Sequence, residues 1–187
     1  MKIGVLAVQG AFIEHEKVLD TLGVPYKELR CAKDLDEDID GLILPGGEST
    51  VQGKLLKELD MFSPLLEKIR GGLPVLATCA GMILLATALD QGQGPHFATL
   101  PMTVRRNAYG RQLGSFRTTA PYKGLGELPM TFIRAPYVLE AGDGAQVMAT
   151  VDDHIVAVEY GKQIALAFHP ELDNDTRLHE RFIDLCR

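Results

Sequence analysis

Tryptophan is absent from this chain of 187 residues, and aromatic residues make up only 6% of it. Proteins that bind single-stranded nucleic acid stack the bases on aromatic side chains, so this scarcity argues against such a function. The formal net charge is −6, and no basic cluster offsets it. The charge therefore argues against nucleic acid and against an anionic membrane surface as the main partner.

Long hydrophobic runs are also missing. No apolar segment approaches the roughly 18–20 residues that a transmembrane helix requires. The apolar start of the chain, residues 1–8, is too short for a signal peptide and lacks a cleavage-site pattern, so we interpret it as a first strand. The sequence thus predicts a protein without a membrane partner.

Cysteine is scarce as well. Cys31, Cys79 and Cys186 form neither a disulfide ladder nor a cluster with metal-ligand spacing, which predicts a reducing cytoplasm and no metal site. The composition, 46% hydrophobic and 24% charged, is typical of a globular protein with one well-buried core. No linker, low-complexity tract or internal repeat is visible, so residues 1–187 are predicted to form a single domain.

The first half of the chain alternates between strand-like and helix-like segments. Strands are predicted over residues 2–8, 26–30, 41–45 and 73–78, and helices over 11–22, 50–59, 63–69 and from the turn at Cys79 to about Leu89. Such alternation is typical of a parallel sheet with helices on both faces.

The second half is predicted to add short strands and a closing helix. The strands cover residues 102–105, 115–119, 130–134, 146–151, 155–160 and 163–168, and the helix covers 177–185. We interpret these strands as antiparallel additions to the same sheet. The predicted fold is therefore α/β: a three-layer, flavodoxin-like sheet, mostly parallel, with antiparallel strands in the second half.

Cys79 lies between the strand-like segment 73–78 and the helix-like segment 82–86. A sharp strand-to-helix turn with a thiol at its tip is similar to the nucleophile elbow of hydrolases, with Cys in place of Ser. Such a turn exposes the sulfur at the end of a sheet and at a helix N-terminus, where backbone N–H groups favour thiolate over thiol. The alternative is a small cysteine buried in the core.

The loop Pro45-Gly46-Gly47-Glu48-Ser49-Thr50 follows a buried strand and precedes a helix. Paired glycines let a substrate atom approach the backbone closely, and ligands collect at the carboxyl ends of strands in open α/β sheets. We predict an oxyanion hole formed by the amide N–H groups of Gly47 and Ala80, each typically worth about 10²–10³ in rate. The alternative is a tight turn followed by a Ser N-cap.

His169 and Glu171 follow the last predicted strand. Pro170 disfavours helix at His169, and residues two apart in an extended chain project to the same side, so Glu171 can reach the imidazole. A thiol nucleophile needs a base, and the base needs an orienting partner. Cys79 also follows a strand end, so Cys79, His169 and Glu171 can meet at one edge of the sheet, although a His-Pro-Glu sequence also occurs in surface loops by chance.

Arginines mark a candidate substrate pocket. A free amino acid carries a carboxylate, for which guanidinium is the natural bidentate partner. Arg106 is the favoured carboxylate binder, and Ile133-Arg134 forms a second wall. The alternative is that these arginines are solvated or form structural ion pairs.

Taken together, these motifs resemble a known family. The set Pro45-Gly46-Gly47-Glu48-Ser49-Thr50, Thr78-Cys79-Ala80-Gly81 and Phe168-His169-Pro170-Glu171 is similar to the triad-type (class I) glutamine amidotransferases. The segments Val8-Gln9-Gly10-Ala11-Phe12 with Glu14-His15, Arg106-Asn107 with Gly110-Arg111-Gln112, and Phe132-Ile133-Arg134-Ala135-Pro136 resemble the family of glutaminase subunits of pyridoxal 5′-phosphate synthases. The resemblance covers essentially the whole chain.

The resemblance implies an activity. Cys79 would attack the side-chain amide of L-glutamine to give a γ-glutamyl thioester and ammonia, and water would then release L-glutamate. His169 would act first as base and then as acid, with Glu171 holding its tautomer. The glutamine-contacting positions would be Gly46, Gly47, Glu48, Arg106, Ile133 and Arg134.

The resemblance also implies a partner. Family members deliver ammonia to a partner synthase, which is a (β/α)₈-barrel protein assembled in rings, with one glutaminase docked on each barrel and poorly active until docked. Pyridoxal 5′-phosphate is the product of that complex, so no cofactor is expected for this chain. Gln9-Gly10 and the following helix with His15 are assigned to the docking face, and the alternative for His15 is a solvated helix residue.

One position departs from the family. The usual elbow reads Gly-x-Cys-x-Gly, whereas Ala77 replaces the first Gly here. The extra methyl group lies where strand and helix approach closely, and Gly81 on the helix side is retained. We therefore expect the methyl group to be tolerated.

Two other functions compete with this interpretation. The first is a cysteine hydrolase or deglycase-like enzyme of similar architecture, which would act alone and need no glutamine pocket. The second is a non-catalytic flavodoxin-like module whose glycine loops hold phosphate or flavin, although no G-x-G-x-x-G or Walker sequence is present. His96, His154 and His179 are isolated in sequence and are expected to be structural or solvent-facing.

Overall fold

The computed structural model describes residues 1–91, 94, 96–108 and 114–187, which form twelve strands and five α-helices. The strands are β1 (Ile3–Leu6), β2 (Tyr26–Leu29), β3 (Gly41–Leu44), β4 (Val75–Thr78), β5 (Ala86–Leu89), β6 (Leu100–Arg105), β7 (Ser115–Tyr122), β8 (Gly126–Ile133), β9 (Tyr137–Ala141), β10 (Gln146–Val151), β11 (His154–Tyr160) and β12 (Gln163–Leu166). The helices are α1 (Phe12–Thr21), α2 (Ser49–Glu58), α3 (Phe62–Arg70), α4 (Ala80–Leu85) and α5 (Arg177–Leu185), and 3₁₀ turns cover Ala32–Leu35 and Pro170–Leu172.

Ten of these strands form one mixed sheet. Their order is β2-β1-β3-β4-β12-β11-β9-β6-β5, with β10 pairing on β11 outside this path. Along the stretch β2-β1-β3-β4-β12, neighbouring strands pair in parallel. The pairs β12–β11, β11–β9 and β9–β6 are antiparallel. The predicted α/β class, with a mostly parallel sheet and antiparallel strands from the second half, is confirmed.

The parallel strands are covered on both faces. Every residue of β1, β3, β4 and β12 is buried, and successive side chains of a strand point to opposite faces of the sheet. Helix α5 packs close to β3, because a Cβ added at Gly41 would lie 2.8 Å from Cζ of Phe182. These strands are therefore near-continuous apolar runs, as is typical of parallel sheets.

Helix α5 packs on the core through one stripe of mainly apolar side chains. In α5 the buried residues are Leu178, His179, Phe182 and Ile183, which recur with helical spacing. Pro64 lies in the first turn of α3, where its missing N–H costs no hydrogen bond. Within the described part of the chain, no helix is both long and apolar enough to cross a membrane.

Helix α4 is shorter than the sequence predicts. It ends at Leu85, and the next four residues form β5, which pairs in parallel with β6. The carbonyls of Leu84 and Leu85 accept hydrogen bonds from the N–H groups of Phe97 and Thr99, both at 2.9 Å. These distant donors replace the N–H groups that a continuing helix would supply, so the prediction of a helix to Leu89 is wrong.

The second half of the chain also differs from the prediction of antiparallel additions to one sheet. β12 is a central strand that pairs in parallel with β4. β7 and β8 form a separate two-stranded antiparallel sheet. β9 was not predicted, although it joins β11 to β6. Strand partners are chosen by contacts between distant segments, which the local alternation of apolar residues does not report.

Gly81 sets the distance between α4 and β3. A Cβ added at Gly81 would lie 2.1 Å from the backbone oxygen of Leu44 and 2.9 Å from its carbonyl carbon. Backbone atoms cannot move aside as the end of a flexible side chain can. The glycine therefore allows the helix to begin directly above the neighbouring strand.

We predict that Gly81→Ala lowers the free energy of unfolding by about 1–3 kcal/mol, because overpacking forces the backbone to shift. Urea unfolding of the purified variant measures the change. Gly94→Ala is the matched control, since an added Cβ at Gly94 meets nothing within 4 Å. Equal free energies of unfolding for the two variants would show that the close contact at Gly81 does not limit stability.

Candidate active site

Cys79 forms the tip of a sharp turn between β4 and α4. Its backbone angles are φ +48° and ψ −101°, a conformation that costs a non-glycine residue about 1–3 kcal/mol. The N–H of Cys79 donates to the carbonyl of Leu166 at 2.7 Å, which extends the pairing of β4 with β12 beyond the strand ends. The residue is 8% exposed and borders a cavity. The predicted strand–thiol–helix turn is therefore present.

His169 follows the end of β12 and is held by its own backbone. Its N–H donates to the carbonyl of Thr131 in β8 at 2.8 Å. The residue has φ −111° and ψ 85°, outside the helical region, as expected before Pro170. The small β7–β8 sheet thus fixes where the chain turns away from β12.

Glu171 contacts His169 by a different route from the predicted one. The chain does not continue extended, because Pro170–Leu172 is a 3₁₀ turn. His169 Nδ1 and Glu171 Oε1 are nevertheless 2.6 Å apart, a short hydrogen bond between two buried side chains. The predicted contact exists, and a tight turn brings the carboxylate to the ring.

The thiol and the imidazole meet because β4 and β12 are neighbours. Thr78 pairs with Leu166 in the parallel register, so Cys79 and His169 leave the same edge of the sheet. Gly46 lies against both, since an added Cβ there would be 2.3 Å from His169 Cε1 and 3.4 Å from Cys79 Cβ. The structure thus places the sulfur, the imidazole and the glycine loop around one point.

The electrostatics favour a charged imidazole. Burial, the largest influence, would lower the pKa of His169, but interactions with Cys79 and Glu171 together raise it to about 10. Burial alone would raise the pKa of Glu171, but His15 and His169 hold it below its ordinary value. At neutral pH His169 therefore carries a proton beside an ionised carboxylate.

The glycine loop is shaped by close approach rather than by a Ser cap. Ser49 is the first residue of α2, not its cap, and within the described residues its Oγ has no hydrogen-bond partner. A Cβ added at Gly47 would lie 2.4 Å from Gln9 Oε1. The alternative of a tight turn with a Ser N-cap is therefore wrong.

Two glutamines hold this loop in place. The N–H of Glu48 donates to Gln9 Oε1 at 2.9 Å. Gln52 Nε2 donates to the carbonyls of Gln9 at 3.0 Å and Pro45 at 3.1 Å. Gln52, which lies in α2 one helical turn after Glu48, was not predicted as a functional residue, because no neighbouring residue in the sequence indicates this role.

A cavity of about 270 Å³ opens beside Cys79. This volume lies just below the roughly 300–1,000 Å³ of pockets for drug-sized ligands, so the cavity suits a small molecule such as an amino acid. Its lining includes Cys79 and His169 and all six predicted glutamine-contacting residues, namely Gly46, Gly47, Glu48, Arg106, Ile133 and Arg134. Glu171 lies behind His169, and Ala80 is buried as the first residue of α4.

Charges of both signs flank the cavity. Arg134 Nη2 and Glu48 Oε1 are 3.8 Å apart, and both side chains are largely exposed. An exposed pair of this kind contributes at most about 1 kcal/mol, so a charged ligand can compete for either partner. Gly110, Arg111 and Gln112, which belong to the same predicted segment as Arg106, lie outside the described residues.

His15 does not lie on the surface. Its side chain is fully buried in α1, so for His15 both the docking-face assignment and the solvated alternative are wrong, whereas the assignment of Gln9-Gly10 and the rest of α1 to the docking face stays a prediction. Its Nδ1 is 2.9 Å from Nε2 of His179, which is also fully buried. Burial lowers the pKa of His15 and lowers that of His179 to about 3. The two histidines are therefore neutral at physiological pH.

Ala77 fits the centre of the sheet. It is fully buried in β4 and pairs with Leu44 of β3 and Ala165 of β12 in an uninterrupted parallel register. The methyl group is accommodated without a bulge, as expected.

We predict that acid unfolding reports the buried neutral histidines. The folded pKa of His179, about 3, lies below its ordinary value of 6.5, so the unfolded chain binds more protons in this range. Stability that is fully present above pH 6.5 is therefore lost as the pH falls, by up to about 1.4 kcal/mol per pH unit for this group.

Urea titrations between pH 7 and 4 measure this slope. His179→Gln keeps an N–H donor but cannot titrate, and it should flatten the curve relative to the unchanged protein. The same slope in both proteins would contradict a neutral buried His179.

Comparison with known proteins places this geometry in a family. The sequence profile of the SNO glutamine amidotransferase family matches residues 5–187. The pyridoxal 5′-phosphate synthase subunit PdxT of Desulfitobacterium hafniense (strain Y51) is 62% identical over 184 residues, which cover 98% of this chain and 92% of the relative. The protein of the same name from Streptococcus pneumoniae (strain ATCC 700669 / Spain 23F-1) is 53% identical over 190 residues, covering 100% and 98%.

Solved structures agree. A crystal structure of a glutamine amidotransferase superposes with a TM-score of 0.93 at 42% identity, covering 98% of each chain. A glutamine amidotransferase from Thermotoga maritima shares the fold, with a TM-score of 0.63 at 18% identity over 98% of this chain and 81% of that one. The family match and the close relatives decide against the deglycase-like and flavodoxin-like alternatives. The chain belongs to the SNO glutamine amidotransferase family.

Proposed function

We propose that this protein hydrolyses L-glutamine to L-glutamate and ammonia, and that a partner synthase subunit uses the ammonia to make pyridoxal 5′-phosphate (vitamin B6). One observation carries the proposal. A cavity of amino-acid size brings together Cys79, His169 and the glycine loop, with Glu171 hydrogen-bonded to the far side of the imidazole. The relatives named pyridoxal 5′-phosphate synthase subunit PdxT supply the metabolic setting.

The chemistry begins with the sulfur of Cys79. It attacks the side-chain amide carbon of glutamine and forms a C–S bond, and the carbonyl oxygen takes up the negative charge. The C–N bond then breaks, ammonia leaves and a γ-glutamyl thioester remains. Water attacks the thioester, the C–S bond breaks, and glutamate and the free thiol are released.

His169 moves the protons in both steps. Its Nδ1 is engaged by Glu171, which leaves Nε2 free for the thiol and the substrate. Because its pKa is raised to about 10, the imidazole takes the proton of the Cys79 thiol at neutral pH, and it gives this proton to the leaving amine as the C–N bond breaks. It then accepts a proton from the attacking water and returns it to the sulfur as the C–S bond breaks. No cofactor is needed for either step.

The backbone around the sulfur stabilises the oxyanion. In this proposal the amide N–H groups of Gly47 and Ala80 donate to the carbonyl oxygen as it becomes negative. Support comes from the position of Gly47 on the cavity wall and of Ala80 directly after Cys79. Donors held in place by folding cost no reorganisation during the reaction.

The charged groups at the mouth orient the substrate. Glutamine is a zwitterion at neutral pH, with one α-carboxylate and one α-ammonium group. Arg106 is proposed to bind the carboxylate, with Ile133 and Arg134 forming the opposite wall. Glu48 offers a carboxylate to the ammonium group, and all four side chains line the cavity.

The partner is proposed to be a (β/α)₈-barrel synthase that assembles in rings and binds one glutaminase on each barrel. This follows from the family resemblance, and it agrees with relatives that are named as subunits. The cytoplasm is the proposed location, because free cysteines persist in a reducing compartment.

Substitution of the triad tests the roles directly. Cys79→Ala and His169→Asn should each reduce glutamate release by at least about 10³-fold, because nucleophile and base act as one unit. Glutamate is measured with the synthase present, and circular dichroism checks that the fold is kept. Cys31→Ala and Cys186→Ala are matched controls that should keep normal turnover. Normal turnover by either triad variant would rule out the assigned role.

Dependence on the partner is a separate prediction. Glutamate release by the isolated chain should rise about 5- to 150-fold when the candidate synthase is added, the range of a typical coupling between two sites. The experiment compares initial rates at saturating glutamine. An unchanged rate would show that the chain works alone, as a simple glutaminase.

A further inference from the structure

A chain of buried polar side chains continues behind the triad. His15 comes from α1, His179 from α5, and Thr78 from the end of β4, and each is fully buried. Buried polar groups cost free energy unless they are paired, so their position needs an account. None of the three is among the residues that line the cavity.

The distances connect these groups to the carboxylate. His15 Nε2 lies 3.2 Å from Thr78 Oγ1 and 3.5 Å from Glu171 Oε2. His15 Nδ1 lies 2.9 Å from Nε2 of His179. Glu171 Oε1 is taken by His169, whereas Oε2 has no hydrogen bond within the described residues. The carboxyl of Glu171 also interacts with its own backbone N–H, and His15 brings a ring nitrogen to 3.5 Å from Oε2.

Proton counting leaves two arrangements. Both histidines are neutral, because burial lowers the pKa of each, so each ring carries one N–H. In the first, His179 Nε2–H donates to His15 Nδ1, and the Nε2–H of His15 points at Thr78 and Glu171. In the second, His15 Nδ1–H donates to His179, and a bare lone pair of His15 faces the carboxylate.

The negative charge on Glu171 favours one of these two proton arrangements. A lone pair 3.5 Å from an ionised oxygen is repelled, and a buried site offers little solvent to screen the repulsion. The second arrangement also leaves a buried N–H on Nδ1 of His179, an atom that has no hydrogen-bond partner in the described part of the structure. In the first arrangement, Nδ1 of His179 is only an unused hydrogen-bond acceptor. The first arrangement is favoured.

We propose that His15 is a positioning residue for the glutaminase reaction: its Nε2–H holds the Glu171 carboxylate in place against His169, and His179 fixes the tautomer of His15. The inference rests on the proposed function for its kinetic effect only. His15 touches no substrate and acts through Glu171. Its loss should therefore change kcat and leave KM unchanged.

The test uses two substitutions of similar size at one position. His15→Gln keeps an N–H where Nε2 was, whereas His15→Leu removes it. Assayed in the complex with the synthase, His15→Leu should lose about 10- to 100-fold in kcat, the usual effect of removing a side chain that orients a functional group from behind, with KM unchanged. His15→Gln should recover kcat to within about threefold of the unsubstituted protein.

A spectroscopic readout separates this role from plain structural support. The Nδ1–H of His169 bonded to Glu171 should give a low-field proton resonance, assigned by its absence in His169→Asn. It should persist in His15→Gln and disappear or move upfield in His15→Leu. The measurement needs no glutamine turnover, so it still tests the positioning role if the protein proves not to be a glutaminase.

The outcomes are distinct. If His15→Leu lowers the unfolding midpoint but keeps both kcat and the low-field resonance, His15 is only structural and the proposal falls. If His15→Leu does not fold, the same comparison is made with His179→Leu and His179→Gln, where loss of the donor should cost on the order of tenfold in kcat and the Gln variant should restore it. Equal kcat and spectra for that pair would also overturn the proposal.

Discussion

The parallel pairing of β4 with β12 is the constraint on which the rest of the site depends. Its register places Thr78 beside Leu166, and the N–H of Cys79 extends the pairing by one more hydrogen bond. Two segments about 90 residues apart in sequence thereby end at one edge of the sheet. Everything that the thiol and the imidazole do together follows from this single alignment of backbone hydrogen bonds.

The site is costly to build, and the surrounding structure offsets the cost. Cys79 adopts a strained backbone conformation, and a charged imidazole and carboxylate lie in a largely apolar interior. The short hydrogen bond between His169 and Glu171 compensates part of their desolvation. Gln52 stabilises the glycine loop by donating a hydrogen bond to the carbonyl of Pro45. Fixed dipoles and charges of this kind are what a reaction with a developing oxyanion requires.

The pattern of apolar residues predicts an element correctly where the packing of that element's own side chains decides its structure. The positions of α1, α5 and the strands β1 to β4 and β12 followed from apolar spacing to within two residues at each end, because each element buries one stripe or a whole run of side chains. The pattern does not predict the strand after Leu85, where the N–H groups of Phe97 and Thr99 end the helix, and it does not predict β9. His15 was misread for the same reason, since one histidine on a helix does not show which neighbours will bury it.

The amino-acid sequence by itself determined the α/β class, the thiol at the strand-to-helix turn, the glycine loop and the family, because these depend on residue types at short, fixed spacings. Only the tertiary structure decided that His15 and His179 stand behind Glu171, and that β12 lies next to β4. The reason is physical: strand partners and buried polar contacts are selected by packing between segments far apart in the chain. No local spacing encodes that choice.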